Sequence, residues 1–558
     1  MTDAVLEAAR LWIAQDPDPE TRAELEALVT HARSGSASAL VELHSRFDSR
    51  LAFGTAGIRG ALGAGPNRMN RVLVAQAAAG LAAFVADRVG GPDAPSVVIG
   101  FDGRKNSRIF ATDTAEIVAG AGIHAVLLPR PLPTPVLAFA IRHTKASAGV
   151  MVTASHNPAS DNGYKVYLGG ADHGSQIVPP SDTAIAACIG QIAKRCRVPE
   201  LPRSPEYETA AESIIDAYVA ATASIATRPT VQQKVVYTAM HGVGWEIARR
   251  VFVEAGFAEP TVVRQQIEPD ASFPTVAFPN PEESGALDFA FETARAVGAD
   301  LVIANDPDAD RLAIAVPDAG TPDGYRRLTG NDVGALLGWF VAEGAAANGG
   351  GTLAASIVSS PALASVASAY GLRFEETLTG FKWVSRVANL SFGFEEALGY
   401  LVNPQTVRDK DGISAAVLFL DLAASRAARG ETVDDMLNEF AERFGSYASD
   451  QISIRVTDLS DISRVMTNLR SRPPDSIGPF AVERVDDFAA GIAGLPASDV
   501  VRITLAGGSR VMVRPSGTEP KVKIYVDASS DGGSVSERQA TASARVRDIA
   551  AAMRVIVA

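Results

Sequence analysis

Short apolar runs set between Ala-rich amphipathic stretches constrain this chain more than any other feature. From Phe53 onward, runs such as Val97-Val98-Ile99-Gly100, Lys234-Val235-Val236-Tyr237 and Leu353-Ala354-Ala355-Ser356-Ile357-Val358 each open such a unit. Continuous apolar runs of this length suit strands buried on both faces, and their alternation with helices is the signature of an α/β fold. The spacing predicts three α/β domains of similar size, although no sequence repeat is strong enough to establish duplication. Ahead of them the first fifty residues read as helices: Asp18 before Pro19 is an N-cap with proline at the first helical position, and Leu25, Leu28 and Val29 repeat on one face.

The last hundred residues differ in kind. The stretch 500–526 reads as strand, Gly507-Gly508 turn, strand, polar loop, strand, and a helix follows from about Ser536. That pattern predicts a small antiparallel α+β domain. At 558 residues the chain has room for about three to five domains. Breaks near 199–205, 317–323 and Ser446 give the expected division: a helical extension at 1–50, α/β domains at 51–205, 206–325 and 326–446, and the α+β domain at 447–558.

Composition narrows the setting. The net charge of −13 argues against nucleic acid or an anionic membrane as the main partner. No uninterrupted apolar stretch is long enough to span a bilayer, and the acidic start Met1-Thr2-Asp3-Ala4-Val5-Leu6-Glu7 is unlike a secretory signal. Cys188 and Cys196 form no disulfide framework, so a reducing cytoplasm is the expected location. An anionic small-molecule substrate would need locally clustered Arg and Lys, and several Gly-rich loops supply them.

Thr153-Ala154-Ser155-His156-Asn157-Pro158 follows the apolar run Gly149-Val150-Met151-Val152 directly. A hydroxyl at the end of a buried strand is held by rigid backbone, as a nucleophile or phosphoryl carrier must be. His156 and Asn157 are placed to orient it, and Pro158 stiffens the exit. Taken alone, these residues also fit a helix N-cap or turn. Lys165, in Asp161-Asn162-Gly163-Tyr164-Lys165, is a candidate general acid or base provided its pKa is lowered; otherwise it is a solvated lysine.

Asp306-Pro307-Asp308-Ala309-Asp310-Arg311 comes straight after Leu301-Val302-Ile303-Ala304. Alternate residues of an extended loop project to one side, so Asp306, Asp308 and Asp310 can converge on Mg²⁺, with a phosphate on Ser155 completing the shell. The glycine and distal glutamate of a calcium EF-hand are absent, and Arg311 beside three acids is unlike a solvated charge run. Two further loops have the ingredients to grip phosphate: Gly54-Thr55-Ala56-Gly57-Ile58-Arg59-Gly60, and Arg514-Pro515-Ser516-Gly517-Thr518-Glu519-Pro520. Each alone is also an ordinary Gly-rich turn. Gly393-Phe394-Glu395-Glu396-Ala397-Leu398-Gly399-Tyr400 offers carboxylates to sugar hydroxyls, and in isolation also fits a surface helix start.

Five such loops in this order resemble the α-D-phosphohexomutase superfamily, from about Phe53 to the C-terminus, with TASHNP, DPDADR and RPSGTEP as the specific motifs. The resemblance implies three related α/β domains with mixed sheets and a fourth α+β domain around a central active-site cleft. It implies that Ser155 is the phosphoserine and shares Mg²⁺ with Asp306, Asp308 and Asp310. Arg59 and Lys165 would flank the reacting group, and Arg311 belongs to the metal loop. Glu395 lies in the implied sugar-recognition loop beside Glu396, and Arg514, Ser516, Gly517 and Thr518 would hold the substrate's other phosphate. Lys410 matches a lysine that some glucose-specific members place near that phosphate.

One position departs from the family pattern: Ala397 stands where many members carry a serine that contacts the sugar. The stretch Thr377-Leu378-Thr379-Gly380-Phe381-Lys382-Trp383 resembles the glucose-selective loop, with Gly380 and Lys382 as substrate-binding candidates. Together with the GFEEALGY loop and the N-terminal helices it resembles a branch of phosphoglucomutases, phosphopentomutases and glucose-1,6-bisphosphate synthases. The implied activity is an intramolecular phosphotransferase acting on a sugar phosphate through a bound 1,6-bisphosphate. Glucose is the leading substrate and mannose or a pentose the competitors; a bisphosphate synthase is an alternative. A Mg²⁺-dependent phosphatase would leave two phosphate-gripping loops unexplained, and a non-catalytic binder would leave intact Ser and Asp loops unexplained.

Overall fold

A computed structural model of the chain describes residues 2–55, 57–89, 94–227, 229–455, 459–492, 494–515 and 521–557. The chain divides into two compact units, Met1–Arg327 with Gly399–Asp421, and Leu328–Leu398 with Leu422–Ala558.

In the first unit the run at 97–100 is part of the strand Ser96–Phe101, which lies between two parallel neighbours, His124–Leu127 and Ala148–Val152. The strand Asp161–Leu168 joins antiparallel to Ala148–Val152, and Ile58–Ala61 joins antiparallel to it in turn. Alternation along the strands buries both faces. Val97, Ile99, Val150 and Val152 pack with residues of the helices Arg71–Val89 and Ser107–Gly120. The helix Thr134–His143 packs against Ser96–Phe101 and Ala148–Val152. Each large aliphatic side chain taken from water here contributes on the order of 1.5–3 kcal/mol.

The helix Arg71–Val89 is the one described helix long and apolar enough, by length and composition, to cross a membrane. Its Leu73, Val74, Leu81 and Val85 are buried in the sheet core, while Val72, Ala75 and Ala78 meet the N-terminal helices. Those helices, Thr2–Ile13, Pro19–Arg33 and Ala37–Phe47, bring Val5, Trp12, Leu25, Val29 and Leu43 to the same cluster. Asp18 caps the second of them as expected, accepting from the Glu20 N–H at 2.9 Å.

A second sheet of the same unit centres on Leu301–Asn305, parallel to Val235–Thr238 and antiparallel to Leu312–Pro317. Both central strands run straight into loops, Ala148–Val152 into Thr153-Ala154-Ser155 and Leu301–Asn305 into Asp306. Register then fixes the neighbours: Lys165 is paired opposite Met151, and Arg59 opposite Gly163.

In the second unit Thr352–Ser356 pairs in parallel with Arg373–Thr377 and with Leu390–Glu395, and the helix Gly330–Ala347 packs on the latter strand. Thr329 and Asp332 close that helix with reciprocal capping bonds. A six-stranded sheet follows, in the order Ser446–Arg455, Lys521–Ser530, Arg510–Pro515, Val501–Leu505, Phe480–Asp487, Ser476–Ile477, with every pairing antiparallel. Gly507 and Gly508, both at φ +80°, make the turn between Val501–Leu505 and Arg510–Pro515. The helices Leu459–Ser471 and Val535–Val557 bury Met466, Leu469, Ile549 and Met553 against this sheet. The fold is therefore α/β with mixed sheets, ending in an antiparallel α+β portion.

Candidate active site

Ser155 is buried, 2% exposed, and its backbone adopts the left-handed region at φ +51°. A non-glycine residue there carries strain of about 1–3 kcal/mol that its surroundings must offset. The Ser155 N–H donates to Thr153 Oγ1 at 2.8 Å, and Ser155 Oγ donates to Asp306 Oδ2 at 2.8 Å. His156 Nδ1 lies 3.1 Å from the same Oγ. With the hydroxyl proton directed at Asp306, a neutral His156 carrying its proton on Nδ1 fits that contact. Burial, together with the nearby Arg311 and Arg59 charges, holds the His156 imidazole well below its ordinary pKa, so it is neutral. Arg59 donates from Nη1 to Asn157 Oδ1 at 3.0 Å, which ties the two glycine- and asparagine-bearing loops together.

The three aspartates converge. Ligand oxygens of Asp306, Asp308 and Asp310 lie within 4.8 Å of one another, and all three residues are buried. The loop is braced from behind, where Val243 N–H donates to the Pro307 carbonyl at 2.8 Å. A Cβ at Gly242 would stand 2.2 Å from Pro307 Cα, so only glycine permits this approach. Thr134, the first residue of its helix, donates from Oγ1 to Asp308 Oδ2 at 2.7 Å and from its N–H to the Asp308 carbonyl at 2.9 Å. The positive end of that helix thus faces the carboxylates.

Positive charge reaches the cluster from two lysines. Lys165 Nζ donates to Asp308 Oδ2 at 2.7 Å and Asp310 Oδ2 at 3.0 Å, and Lys410 Nζ lies 3.0 Å from Asp310 Oδ2. Burial alone would lower the Lys165 pKa, but Asp308 and Asp310 outweigh it and raise it above the ordinary value. The condition for Lys165 as a general base, a lowered pKa, is therefore not met in this arrangement. Lys410, two residues ahead of the helix Gly412–Ala427, thus stands against the aspartate loop. Burial opposes ionisation of Asp308 too, yet Lys165 holds its carboxyl well below the usual range. Asp306, beside two other carboxylates and buried, is pushed well above it. Among the described residues, Asp308 Oδ1 and Asp310 Oδ1 are buried with no hydrogen-bond donor. Anionic oxygens in that state are costly unless a cation serves them, and three converging carboxylates are the donor set Mg²⁺ prefers. Arg311 completes the loop, with Nε 4.0 Å from Asp306 Oδ2 and 3.9 Å from Asp310 Oδ1.

In the second unit Glu395 Oε1 accepts from the Gly380 N–H at 2.6 Å, joining the two expected sugar-loop segments. Lys382 lies over the Trp383 ring, 5.8 Å from its centroid. Glu396 Oε2 accepts from Ser356 Oγ at 3.2 Å and Ser359 Oγ at 3.0 Å, which braces this carboxylate inside the unit. Arg514 is half-buried near the end of the strand Arg510–Pro515. Ser516, Gly517 and Thr518 lie outside the described residues.

All four domains of the phosphoglucomutase/phosphomannomutase family match the chain in order: alpha/beta/alpha domain I at residues 50–195, domain II at 215–320, domain III at 329–444 and the C-terminal domain at 462–543. The chain belongs to this family. It is 55% identical to a probable phosphomannomutase of Haemophilus influenzae, over 82% of this chain and 93% of that one. It is 34% identical to the phosphopentomutase of Mus musculus, over 94% of this chain and 90% of that one. A solved phosphoglucomutase/phosphomannomutase family protein from Burkholderia thailandensis shares the fold, with a TM-score of 0.69 at 21% identity over 91% of this chain and 98% of that one.

As a phosphoglucomutase/phosphomannomutase family member the protein is an isomerase of the intramolecular phosphotransferase type. Two side chains of its site escaped the sequence reading. Arg104 grips the carbonyls of the Ser155 loop, and Thr134 grips Asp308. Arg104 had a usable signal: Asp102-Gly103-Arg104 follows the parallel strand Ser96–Phe101 just as the Ser155 loop follows the neighbouring strand, and ligand sites of α/β sheets gather at those ends. Thr134 had none, since a Thr-Pro pair opening a helix is common.

Proposed function

We propose that the protein interconverts the 1-phosphate and 6-phosphate of a hexose, glucose first, through a phosphoryl group carried on Ser155 and a bound 1,6-bisphosphate. The observation that carries the reading is the buried contact of Ser155 Oγ with Asp306, inside a triad of carboxylates two of whose oxygens meet no donor among the described residues. Asp306, Asp308 and Asp310 would hold Mg²⁺, which supplies positive charge to the oxygens of the transferring group. The Ser155 O–P bond breaks as a sugar hydroxyl bonds to the same phosphorus, and the hydroxyl's proton ends on Ser155 Oγ; the second phosphoryl group of the bisphosphate then returns to Ser155 Oγ, whose proton passes to the sugar oxygen released. Glucose 1,6-bisphosphate is thus intermediate and activator.

Phosphoryl transfer asks a protein chiefly for positioning and charge. Arg59 and Arg311 supply fixed guanidinium charge, and Lys165 and Lys410 act through their ammonium charge on the carboxylates. His156, neutral and in contact with Oγ, orients the serine. Gly380, Lys382 and Glu395 select the sugar, while Arg514 with Ser516, Gly517 and Thr518 holds the distal phosphate. The proposed domain bounds remain 1–50, 51–205, 206–325, 326–446 and 447–558, with the cytoplasm as the setting.

A pentose reading has its own support, because a phosphopentomutase aligns over 94% of the chain and Ala397 removes a hydroxyl from the sugar loop. The test is a parallel assay of glucose, mannose and deoxyribose 1-phosphates with Mg²⁺ and trace glucose 1,6-bisphosphate. Fastest turnover of the glucose ester is the expected outcome. Preference for mannose or deoxyribose would overturn the substrate and keep the chemistry, whereas release of inorganic phosphate without isomerisation would overturn the mutase.

A further inference from the structure

Beneath the Ser155 loop lies the buried guanidinium of Arg104, which is 5% exposed. Its Nη2 donates to the carbonyls of Ser155 at 2.5 Å and Asn157 at 2.6 Å, and its Nη1 to those of Pro158 at 2.8 Å and Asp161 at 3.2 Å. Four carbonyls from one loop converge on one planar fork, a geometry a lysine ammonium cannot reproduce. The fork is itself held. Asp102 accepts from the Arg104 N–H at 3.0 Å and places its carboxylate 3.6 Å from Nε. Phe273 stacks on the guanidinium, 4.8 Å from the ring centroid to Cζ. Phe273 belongs to the second α/β body of the same unit and has a left-handed backbone at φ +46°. Pro269 and Val243 of that body also reach the turn at Gly103, 3.2 and 3.4 Å from where a Cβ would stand.

Ser155 has the same unfavourable hand, φ +51°. Its N–H is held by Thr153 and its carbonyl by Arg104, so the two ends of its peptide geometry are pinned from different sides. We propose that Arg104, seated on Phe273, is the positioning residue that keeps Ser155 in this conformation and aims Oγ into the aspartate cluster. The second α/β body thereby sets the aim of a loop carried by the first. The inference rests on phosphoryl transfer through Ser155 and adds to it the residue that prepares the carrier.

Arg104 acts on the loop that carries the phosphoryl group, so its loss lowers kcat and leaves KM for the sugar phosphate within about threefold, as misplacement of a reacting atom does. The experiment uses full-length Arg104→Lys, Arg104→Ala and Phe273→Leu proteins with Mg²⁺ and glucose 1,6-bisphosphate. It reads kcat, KM, phosphate on Ser155 by intact mass, and melting temperature. Arg104→Lys is expected to lose about 100-fold in kcat, Phe273→Leu about tenfold, and Arg104→Ala to recover activity when guanidinium ion is added at concentrations that leave wild-type turnover unchanged. A kcat for Arg104→Lys within threefold of wild type would overturn the proposal, as would a rise in KM at constant kcat, or a loss that guanidinium fails to relieve. If the Arg104 variants fail to fold, Phe273→Leu decides, since it keeps every hydrogen bond of Arg104 and an unchanged kcat would overturn the seating. A wild-type protein that takes up no phosphate on Ser155 would overturn the transfer reading itself, which separates the two failures.

Discussion

Around Ser155, charges are buried and densely partnered, with Lys165 shared between two aspartates and Lys410 on one of them. Around Glu395 the side chains are half-buried, and the carboxylate is held by a backbone N–H of the Gly380 turn. The difference tracks the work proposed for each region. Where charge moves, dipoles and ions fixed in advance avoid reorganisation during the reaction, and burial strengthens them. Where a sugar is chosen, shallow hydrogen-bonding loops suffice, because discrimination rests on a few polar contacts.

Substitutions can break this comparison or sharpen it. Ser155→Ala should abolish turnover, a fall of about 10⁴-fold or more, with no phosphate on the protein by intact mass and little change in melting temperature. Undiminished activity would remove the carrier mechanism and with it the contrast. Glu395→Gln keeps an acceptor for the Gly380 N–H and removes the charge. It should lower kcat/KM for the best sugar by about tenfold and flatten the ranking among glucose, mannose and deoxyribose esters, while saturating bisphosphate still phosphorylates Ser155. An effect as large as that of Ser155→Ala would mean that the recognition loop also does chemistry.

The smallest effect belongs to a buried carboxyl outside the reacting cluster. Asp411 accepts from the Ile413 and Ser414 N–H groups and from Tyr218 Oη, each at 3.0 Å. Burial pushes its pKa up to about 6 from 3.8. The folded state therefore binds this proton more tightly than the unfolded chain does. Its contribution is fully present below pH 4 and is lost as pH rises to about 6, on the order of 3 kcal/mol. Asp411→Asn should remove that slope, so that the melting temperature of the wild type falls relative to the variant between pH 4 and 6.5. Parallel melting curves across that range would show that burial does not shift this group.

The residues proposed to react were legible for a local reason. Ser155 and Asp306 each follow an apolar run directly, and the runs are strands whose ends project into loops. The partners of those residues were not legible in the same way. Arg104 lies 51 positions from Ser155 in the chain, and Thr134 lies 174 positions from Asp308. Their pairing depends on strand order in two sheets, which no local pattern reports. The charge state of Lys165 was left open by the sequence, because its pKa follows from two aspartates that sequence distance hides. The hydrogen bonds that Glu396 accepts were hidden too, because Ser356 and Ser359 come to it from a neighbouring strand and its exit loop.

By itself the sequence determined which segments become buried strands, that a hydroxyl and three carboxylates would stand at their ends, and to which family the motifs point. Those properties are set within a few residues, by apolar content and alternation. Only the tertiary structure decided which charges face one another, and hence that Lys165 is an ammonium held by aspartates and that one guanidinium gathers the Ser155 loop. The physical reason is that an electrostatic environment depends on burial and on separations of a few ångströms, and the fold, not the spacing along the chain, sets both.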